Sequence, residues 1–210
     1  MLHEMGVNAL NYCAYDMCIR NEDTPTLDGW LVIPNTLESG WIDLYHVPSQ
    51  QRIIESLGRQ ADSRSGTERP AIVMALQICI LRDILWIVAG YEDGVLQAWT
   101  IPVSTMEPTL VWTHKSHAES IMALSMSPTC DSVLSLGADY NIVRTALHQE
   151  AVPHVQRIKR PGHACASVRW DERVCVLGGW DACARVFTWP SLEPCLLYTS
   201  PSPRDLSTSR

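Results

Sequence analysis

A repeated spacing of turn residues and ring residues constrains this chain more than any other feature. Four times, a short apolar run leads into a turn residue, and six residues later a ring, or in one case a threonine, closes the next run. The four pairs are Ser39 and Tyr45, Asp93 and Trp99, Asp139 and Thr145, and Asp181 and Phe187. Successive turn residues lie 54, 46 and 42 residues apart. A period of roughly 40–45 residues with a Trp-Asp-like ending is typical of four-stranded propeller blades, so the chain is predicted to be a stack of similar β-sheets.

Short apolar or β-branched runs on both sides of each turn predict two strands per unit, and flanking runs predict two more. The runs before the turns are Trp30 to Ile33, Ile84 to Ala89, Ser132 to Leu136 and Val174 to Leu177, and those after them include Val95 to Trp99, Ile142 to Thr145 and Ala184 to Phe187. The upstream strands are Val7 to Tyr15, Ile72 to Leu81, Ile121 to Ser127 and Ala164 to Trp170, and the outer strands are Arg52 to Leu57, Leu110 to Thr113 and Val155 to Ile158. The predicted fold is all-β.

These runs divide the chain into blades and connecting segments. The predicted blades are 1–57, 70–115, 116–160 and an incomplete 161–194, with a loop at 58–69 that could instead be a partner-docking segment. Residues 195–210 depart from the blade pattern and resemble the translation of a sequencing adapter, so they are predicted to be a disordered, non-native tail. A natural polar tail is the alternative. Four such units are visible, and the family resemblance described below implies that about four of seven blades are present, open at both ends.

Composition favours protein partners over nucleic acid. The chain has 16 Lys and Arg against 23 Asp and Glu, a net charge of −7, which does not support a phosphate-tracking surface. No apolar stretch approaches the roughly 20 residues that cross a bilayer, and the N-terminus lacks the basic and apolar regions of a secretory signal. The chain is therefore predicted to be intracellular.

The cysteines and histidines predict structural roles. The eight cysteines include no Cys-x-x-Cys pair, and Cys13 and Cys18 have no second pair at ligand spacing, so reduced, buried thiols are expected and a metal is not. His117 and His163 each precede the first strand of a unit, where this kind of repeat uses His to bond across to a turn Asp. No cofactor is predicted.

Catalytic motifs do not appear in the sequence. The glycines of Val88 to Gly94 lead into a strand, whereas a phosphate loop leads into a helix, and Asp171 and Glu172 are typical of a solvated turn. An enzyme site in a propeller channel would need acidic or His side chains on the innermost strands. If the runs before the turns are those innermost strands, they carry almost no acidic or His side chains. A non-enzymatic scaffold is predicted.

Several motifs resemble a known family. Gly90 to Gly94 leading to Trp99, Gly162-His163, and Gly178-Gly179-Trp180-Asp181 are similar to WD40 repeats of the ASTRA-associated protein 1 family, whose animal relatives are guanine nucleotide-binding protein subunit beta-like proteins. The N-terminal third is the more specific match, and it comprises Val7 to Cys13, Val32 to Asn35 and Ile42 to Ser49. The resemblance covers about residues 6–194.

The resemblance implies a propeller scaffold in the nuclear ASTRA complex, which is linked to chromatin remodelling and to maturation of PI3-kinase-like kinases. Implied partners are ASTRA components and kinase-maturation cochaperones, with no direct nucleic acid and no membrane. A G-protein-beta-like or histone-binding module is the alternative. Ser39 replaces Asp, and Tyr45, Thr145 and Phe187 replace Trp, so only the second unit is expected to keep the full Asp-to-Trp pattern.

Overall fold

The computed structural model describes residues 6, 13–20, 28–58, 71–148 and 152–199, which form four antiparallel four-stranded sheets. Sheet 1 consists of β1 (Asp16–Ile19), β2 (Gly29–Pro34), β3 (Ile42–His46) and β4 (Gln51–Leu57). Sheet 2 consists of β5 (Val73–Leu81), β6 (Ile84–Tyr91), β7 (Val95–Pro102) and β8 (Thr109–Lys115). Sheet 3 consists of β9 (Ile121–Met126), β10 (Ser132–Gly137), β11 (Asn141–Ala146) and β12 (His154–Arg157). Sheet 4 consists of β13 (His163–Val168), β14 (Val174–Gly179), β15 (Cys183–Thr188) and β16 (Pro194–Thr199).

Each sheet is a simple meander, since the strands pair in the order in which they follow one another along the chain. Local turn chemistry favours this order. In sheet 2, the Asp93 carboxylate accepts a hydrogen bond from the Val95 N–H at 3.1 Å, and Gly94 adopts a φ of +82° that a tight hairpin requires. The prediction of an all-β chain built from four-stranded units is confirmed.

The first strand of each sheet faces the common centre. β1 packs against β5, β5 against β9, and β9 against β13, so these four strands are neighbours across successive sheets. This geometry corrects the prediction that the runs before the turns are innermost, because those runs are second strands. A channel wall would therefore be built from the first strands, and the sequence argument against a channel site used the wrong ones.

Apolar clusters fill each junction between sheets. Trp30, Leu44 and Ile87 are buried between sheets 1 and 2, and separate clusters lie between sheets 2 and 3 and between sheets 3 and 4. Full burial of one large apolar side chain stabilises a fold by about 1.5–3 kcal/mol. Stability therefore comes from contacts between neighbouring sheets, as in other repeat architectures.

The structure corrects two predictions at the ends of the chain. Strand β1 begins at Asp16, whereas the predicted strand spanned Val7 to Tyr15; residues 7–12 lie outside the described residues and 13–15 are not in a strand. The predicted tail contains strand β16, which pairs with β15 and completes a fourth strand in sheet 4. Its β-forming residues, Leu196 to Tyr198, pair with the otherwise open edge of β15. Residues 200–210, like most of the predicted 58–69 loop, lie outside the described residues.

Candidate functional site

Six loops that the structure describes in full meet at one edge of the sheets, which we call the turn edge. It comprises the inner turns 35–41, 92–94, 138–140 and 180–182 and the connectors 116–120 and 158–162. The connectors bond to turns of both sheets that they join. The His117 N–H donates to the Gly94 carbonyl at 3.1 Å, and the Ala138 N–H donates to the Ser120 carbonyl at 2.9 Å. These bonds fix the turn edge as one surface.

A buried polar network supports the turn edge at sheet 3. His117 lies with Nδ1 at 3.0 Å from Asp139 Oδ1 and Nε2 at 2.9 Å from Ser135 Oγ, and the Ala118 and Asn141 N–H groups also donate to the carboxylate. Burial alone would raise the pKa of Asp139, but the His117 hydrogen bond and the two backbone donors outweigh it and hold that pKa at about 2. The carboxylate is therefore charged and fully engaged at neutral pH.

The same three side chains have the connectivity of a Ser–His–Asp catalytic triad. A nucleophilic serine must reach a substrate carbonyl, however, and Ser135 is fully buried within β10. Ser135 Oγ also lies 3.4 Å from the Val143 carbonyl, inside the sheet. The geometry therefore positions the connector and the turn, and it offers no approach for a substrate to this serine.

Sheet 4 does not repeat this network. His163 is buried as His117 is, but neither of its ring nitrogens has a hydrogen-bond partner among the described residues. Instead, the Arg185 guanidinium donates two hydrogen bonds to the Asp181 carboxylate, at 3.0 and 2.5 Å. Leu177 stands at the position equivalent to Ser135, so no hydroxyl is available to the imidazole. The predicted bond from His163 to the turn Asp is absent, which corrects the sequence argument.

The pKa values of Asp181 and His163 in sheet 4 are consistent with the pairing of Asp181 with Arg185. The hydrogen bond and charge of Arg185 hold the pKa of Asp181 well below its usual range. Burial, followed by the nearby Arg185 charge, lowers the pKa of His163. The ring is therefore neutral at pH 7, and it acts as a packing group.

Sheet 1 contains a carboxylate that the sequence argument missed. Asp43 is fully buried and accepts hydrogen bonds from the Asn35 side chain at 2.8 Å, Arg52 at 2.8 Å and the Ser56 N–H at 3.0 Å. Asn35 in turn accepts from two N–H groups of its own turn. Ser39 replaces the usual turn Asp, and the charge lies four residues later. The sequence signal that could have indicated this network was an Asn and an Asp, Asn35 and Asp43, on the two sides of that turn.

The ring positions of the repeat all lie in the core, while the turn positions differ. Tyr45, Trp99, Thr145 and Phe187 are buried. Thr145 Oγ1 is also buried, and among the described residues it has no hydrogen-bond partner. The most complete network belongs to sheet 3, which corrects the expectation that the second unit would be the most regular.

The cysteines carry reduced thiols, but only three of the eight are buried. Cys79, Cys130 and Cys175 lie in the core, Cys13, Cys18 and Cys183 are half-buried, and Cys165 and Cys195 are exposed, which corrects the expectation for these last five. Burial raises the pKa of Cys175 to about 12, so that thiol is protonated at neutral pH. The part of the chain that the structure describes holds no group of three or more potential metal ligands.

Charge divides the turn edge into two halves. The half over sheets 1 and 2 is acidic, with Glu38, Glu92, Asp93 and Glu119 exposed. The half over sheets 3 and 4 carries exposed Arg157, Lys159 and Arg160 beside the exposed rings of Tyr140 (42%) and Trp180 (59%). Its exposed Asp181 is paired with Arg185. We call this second half the basic-aromatic patch.

A cation–π contact and a backbone hydrogen bond position the two rings of the basic-aromatic patch. The Arg157 guanidinium lies 5.5 Å from the centroid of the Tyr140 ring, a cation–π distance. The Trp180 N–H donates to the Gly162 carbonyl at 3.0 Å, and a Cβ at Gly162 would lie 2.1 Å from the Trp180 ring. Positioned rings beside cations are typical of protein-binding surfaces. This patch is the best candidate site for recognition.

The fold and the turn edge define the class of the protein, a partial WD40-type β-propeller. No protein-family model matches the chain. A chain in the crystal structure of the mitotic checkpoint complex shares the fold, with a TM-score of 0.60 at 15% identity over 82% of this chain and 48% of that one. Among the described residues, no helix is long and apolar enough to span a membrane.

Sequence relatives add a resemblance to one family. ASTRA-associated protein 1 of Verticillium alfalfae is 30% identical over 92% of this chain and 48% of the relative, and that of Penicillium rubens is 25% identical over 92% and 51%. Mouse guanine nucleotide-binding protein subunit beta-like protein 1 is 23% identical over 92% and 56%. The resemblance to the ASTRA-associated protein 1 family is confirmed. The chain spans about half the length of the curated relatives it matches.

Proposed function

We propose that this chain is a non-enzymatic WD-repeat scaffold that acts in the nucleus as part of the ASTRA complex, in chromatin remodelling and in maturation of PI3-kinase-like kinases. The observation that carries the proposal is its similarity to ASTRA-associated protein 1 over 92% of its length. The buried polar groups of sheets 1 and 3 bond to turns and connectors of the fold, which is a structural use of polar residues.

The basic-aromatic patch is the surface through which the scaffold takes its partner. Its three cations contrast with a net charge of −7 for the whole chain, so it favours an acidic partner segment. Tyr140 and Trp180 supply apolar area that becomes buried on binding. Binding is therefore expected to weaken as salt rises.

Affinity purification of the tagged chain followed by mass spectrometry tests the proposal. Recovery of ASTRA components and kinase-maturation cochaperones supports it. The mouse relative favours a second candidate, a G-protein-beta-like role, and recovery of G-protein γ chains would favour that role over the first.

Charge reversal tests the surface separately from the identity of the partner. Lys159→Glu with Arg160→Glu should reduce recovery of the acidic partner at least tenfold, because two cations at the interface become repulsive. Arg169→Glu with Arg173→Glu is the matched control, since both residues are exposed in the β13–β14 turn at the opposite edge. Equal loss in both double variants would contradict the assignment of the patch.

A further inference from the structure

The turns that join the first and second strands of sheets 2, 3 and 4 lie at the edge opposite the turn edge, and each contacts the preceding sheet. Asp83 of the β5–β6 turn accepts a hydrogen bond from the Arg20 side chain of sheet 1 at 3.0 Å. Glu172 of the β13–β14 turn accepts from the Thr129 N–H of sheet 3 at 2.8 Å and from the Thr129 hydroxyl at 2.7 Å. The corresponding residue of the β9–β10 turn is Cys130.

The three turn residues share one backbone conformation. Their φ angles are +61° at Asp83, +55° at Cys130 and +52° at Glu172, in the left-handed region that Gly and Asn adopt more readily than Cys does. The Cys130 and Glu172 N–H groups also donate to the Ser127 and Arg169 carbonyls, each at 2.9 Å, so these two turns close in the same way. Cys130 therefore occupies the place from which a turn contacts the preceding sheet.

A set of side-chain contacts places Cys130 beside Cys79 of sheet 2. Cys79 is the cross-strand partner of Trp86, and the Trp86 ring packs edge-on against His148 with the ring centroids 4.7 Å apart. His148 Nε2 in turn donates to the Cys130 carbonyl at 2.9 Å. Cys79 and Cys130 belong to the same apolar cluster between sheets 2 and 3, each is 8% exposed, and their thiols are hydrogen-bonded to each other. The contact between sheets 2 and 3 at this edge is thus a pair of thiols.

The hydrogen bond between the thiols makes them chemically unequal. The Cys79 S–H donates to the Cys130 sulfur, and this bond lowers the pKa of Cys130 while it raises that of Cys79. Because the thiolate is the reactive form, Cys130 is the nucleophile of the pair and Cys79 is the protonated neighbour. Cys18 is a third, half-buried thiol near the pair, and burial raises its pKa to about 12, so it stays protonated at neutral pH.

We propose that Cys130 and Cys79 form a peroxide-sensitive site, at which hydrogen peroxide converts the two thiols into a reversible disulfide that joins sheet 2 to sheet 3. The Cys130 thiolate attacks one peroxide oxygen, so that an S–O bond forms, the O–O bond breaks and the other oxygen leaves as water after taking up a proton. The Cys79 sulfur then attacks the resulting sulfenic acid. The S–S bond forms, the S–O bond breaks, and the hydroxyl group leaves as water with the Cys79 proton. The two thiols lose two electrons in total, and these reduce the peroxide to two molecules of water.

Oxidation at this site acts on one junction only. The Arg20–Asp83 and Thr129–Glu172 contacts contain no thiol and are unchanged by peroxide. Hydrogen peroxide is close to water in size, so it reaches thiols of low exposure in a surface turn. The disulfide closes the chain between residues 79 and 130, and it stabilises the fold because it restrains the unfolded chain.

Peroxide treatment of the full 210-residue chain, followed by peptide mass spectrometry without reduction, tests the proposal. The expected product is a linked peptide pair that contains Cys79 and Cys130 and that dithiothreitol separates again. The midpoint of urea unfolding should rise by about 1 M in the oxidised chain, because a disulfide closing a long loop stabilises the folded state.

Variants separate the roles of the two thiols. Cys79→Ser should leave Cys130 as a sulfenic acid that dimedone traps, since no second thiol is present to displace the hydroxyl group. Cys130→Ser should slow oxidation of Cys79 at least tenfold, because the nucleophile is missing. Cys165→Ser is the matched control, as it removes an exposed thiol of sheet 4, and it should leave the yield of the linked pair unchanged.

Three outcomes would overturn the proposal. The first is oxidation of the exposed Cys165 and Cys195 with no linked pair in the wild-type chain. The second is a link between Cys18 and Cys79 in place of the proposed one. The third is a Cys79–Cys130 link that forms only in urea-unfolded chain, which would show that the folded junction does not bring the two sulfurs together.

Discussion

Sheets 3 and 4 have the same strand order and equivalent turn carboxylates, yet those carboxylates differ in burial and in bonding partner. In sheet 3, Asp139 is buried and bonded to His117, whereas in sheet 4, Asp181 is paired with Arg185 near the surface. Sheet 3 is packed between two neighbours, and sheet 4 has one neighbour among the described residues. The comparison teaches that burial between two sheets favours a closed His–Asp network, while a half-covered sheet accommodates an Arg–Asp pair.

The largest expected difference between the two sheets follows removal of the turn carboxylate. Asp139→Ala should lower the free energy of unfolding by about 3 kcal/mol, since it leaves a buried imidazole and two backbone N–H groups without their acceptor. Asp181→Ala should cost less than about 1 kcal/mol, because its partner is a partly exposed arginine. Urea unfolding followed by tryptophan fluorescence measures both. Equal losses would show that the buried network contributes nothing specific.

A smaller difference is expected from adding a methyl group to the connectors. Gly94→Ala should cost about 2 kcal/mol, because the residue has positive φ and its Cβ would lie 2.3 Å from the His117 carbonyl oxygen, a backbone atom. Gly162→Ala also has positive φ, but its Cβ would meet the exposed Trp180 ring, which can move. We expect about half the cost there. Thermal unfolding of both variants checks the order, and a larger loss for Gly162→Ala would contradict it.

The smallest expected effect is a dependence of stability on acid pH that comes from Asp139 in sheet 3. The pKa of Asp139 is about 2 in the folded chain against an ordinary value of 3.8. Because the folded pKa is the lower one, the charged carboxylate stabilises the fold fully above about pH 4, and that stabilisation is lost as pH falls towards 2. The stability gap between wild type and Asp139→Asn should therefore narrow over this window. A gap that stays constant from pH 5 to pH 2 would contradict this assignment.

Much of the fold could be predicted because its signals are local. Asp93 and Gly94 specify their own hairpin through bonds within a few residues, and the strands around them read as short apolar runs. The outer strands were predicted at β4, β8 and β12 for the same reason. Strand β16 was missed, because its pairing depends on the open edge of β15 and a Ser- and Pro-rich continuation hid its short apolar run.

The candidate site was less predictable because its partners are distant in sequence. In sheet 4, Asp181 pairs with Arg185 and not with His163, because Leu177 stands where sheet 3 has Ser135 and because Arg185 lies four residues after the turn Asp. Both differences are visible only once the units are aligned. The Asp43 network joins Asn35 to Arg52 across two turns. The basic-aromatic patch was also missed, since its rings belong to different sheets.

The sequence by itself determined the number of repeating units, the order of their strands and the chemistry of their turns, because each of these depends on residues within about one hairpin of each other. Only the tertiary structure decided which carboxylates are buried, which strands face the centre, and which face of sheet 4 remains open. Those properties depend on side chains from neighbouring sheets, such as Ser125 meeting Val168, and the spacing along one sheet does not encode them.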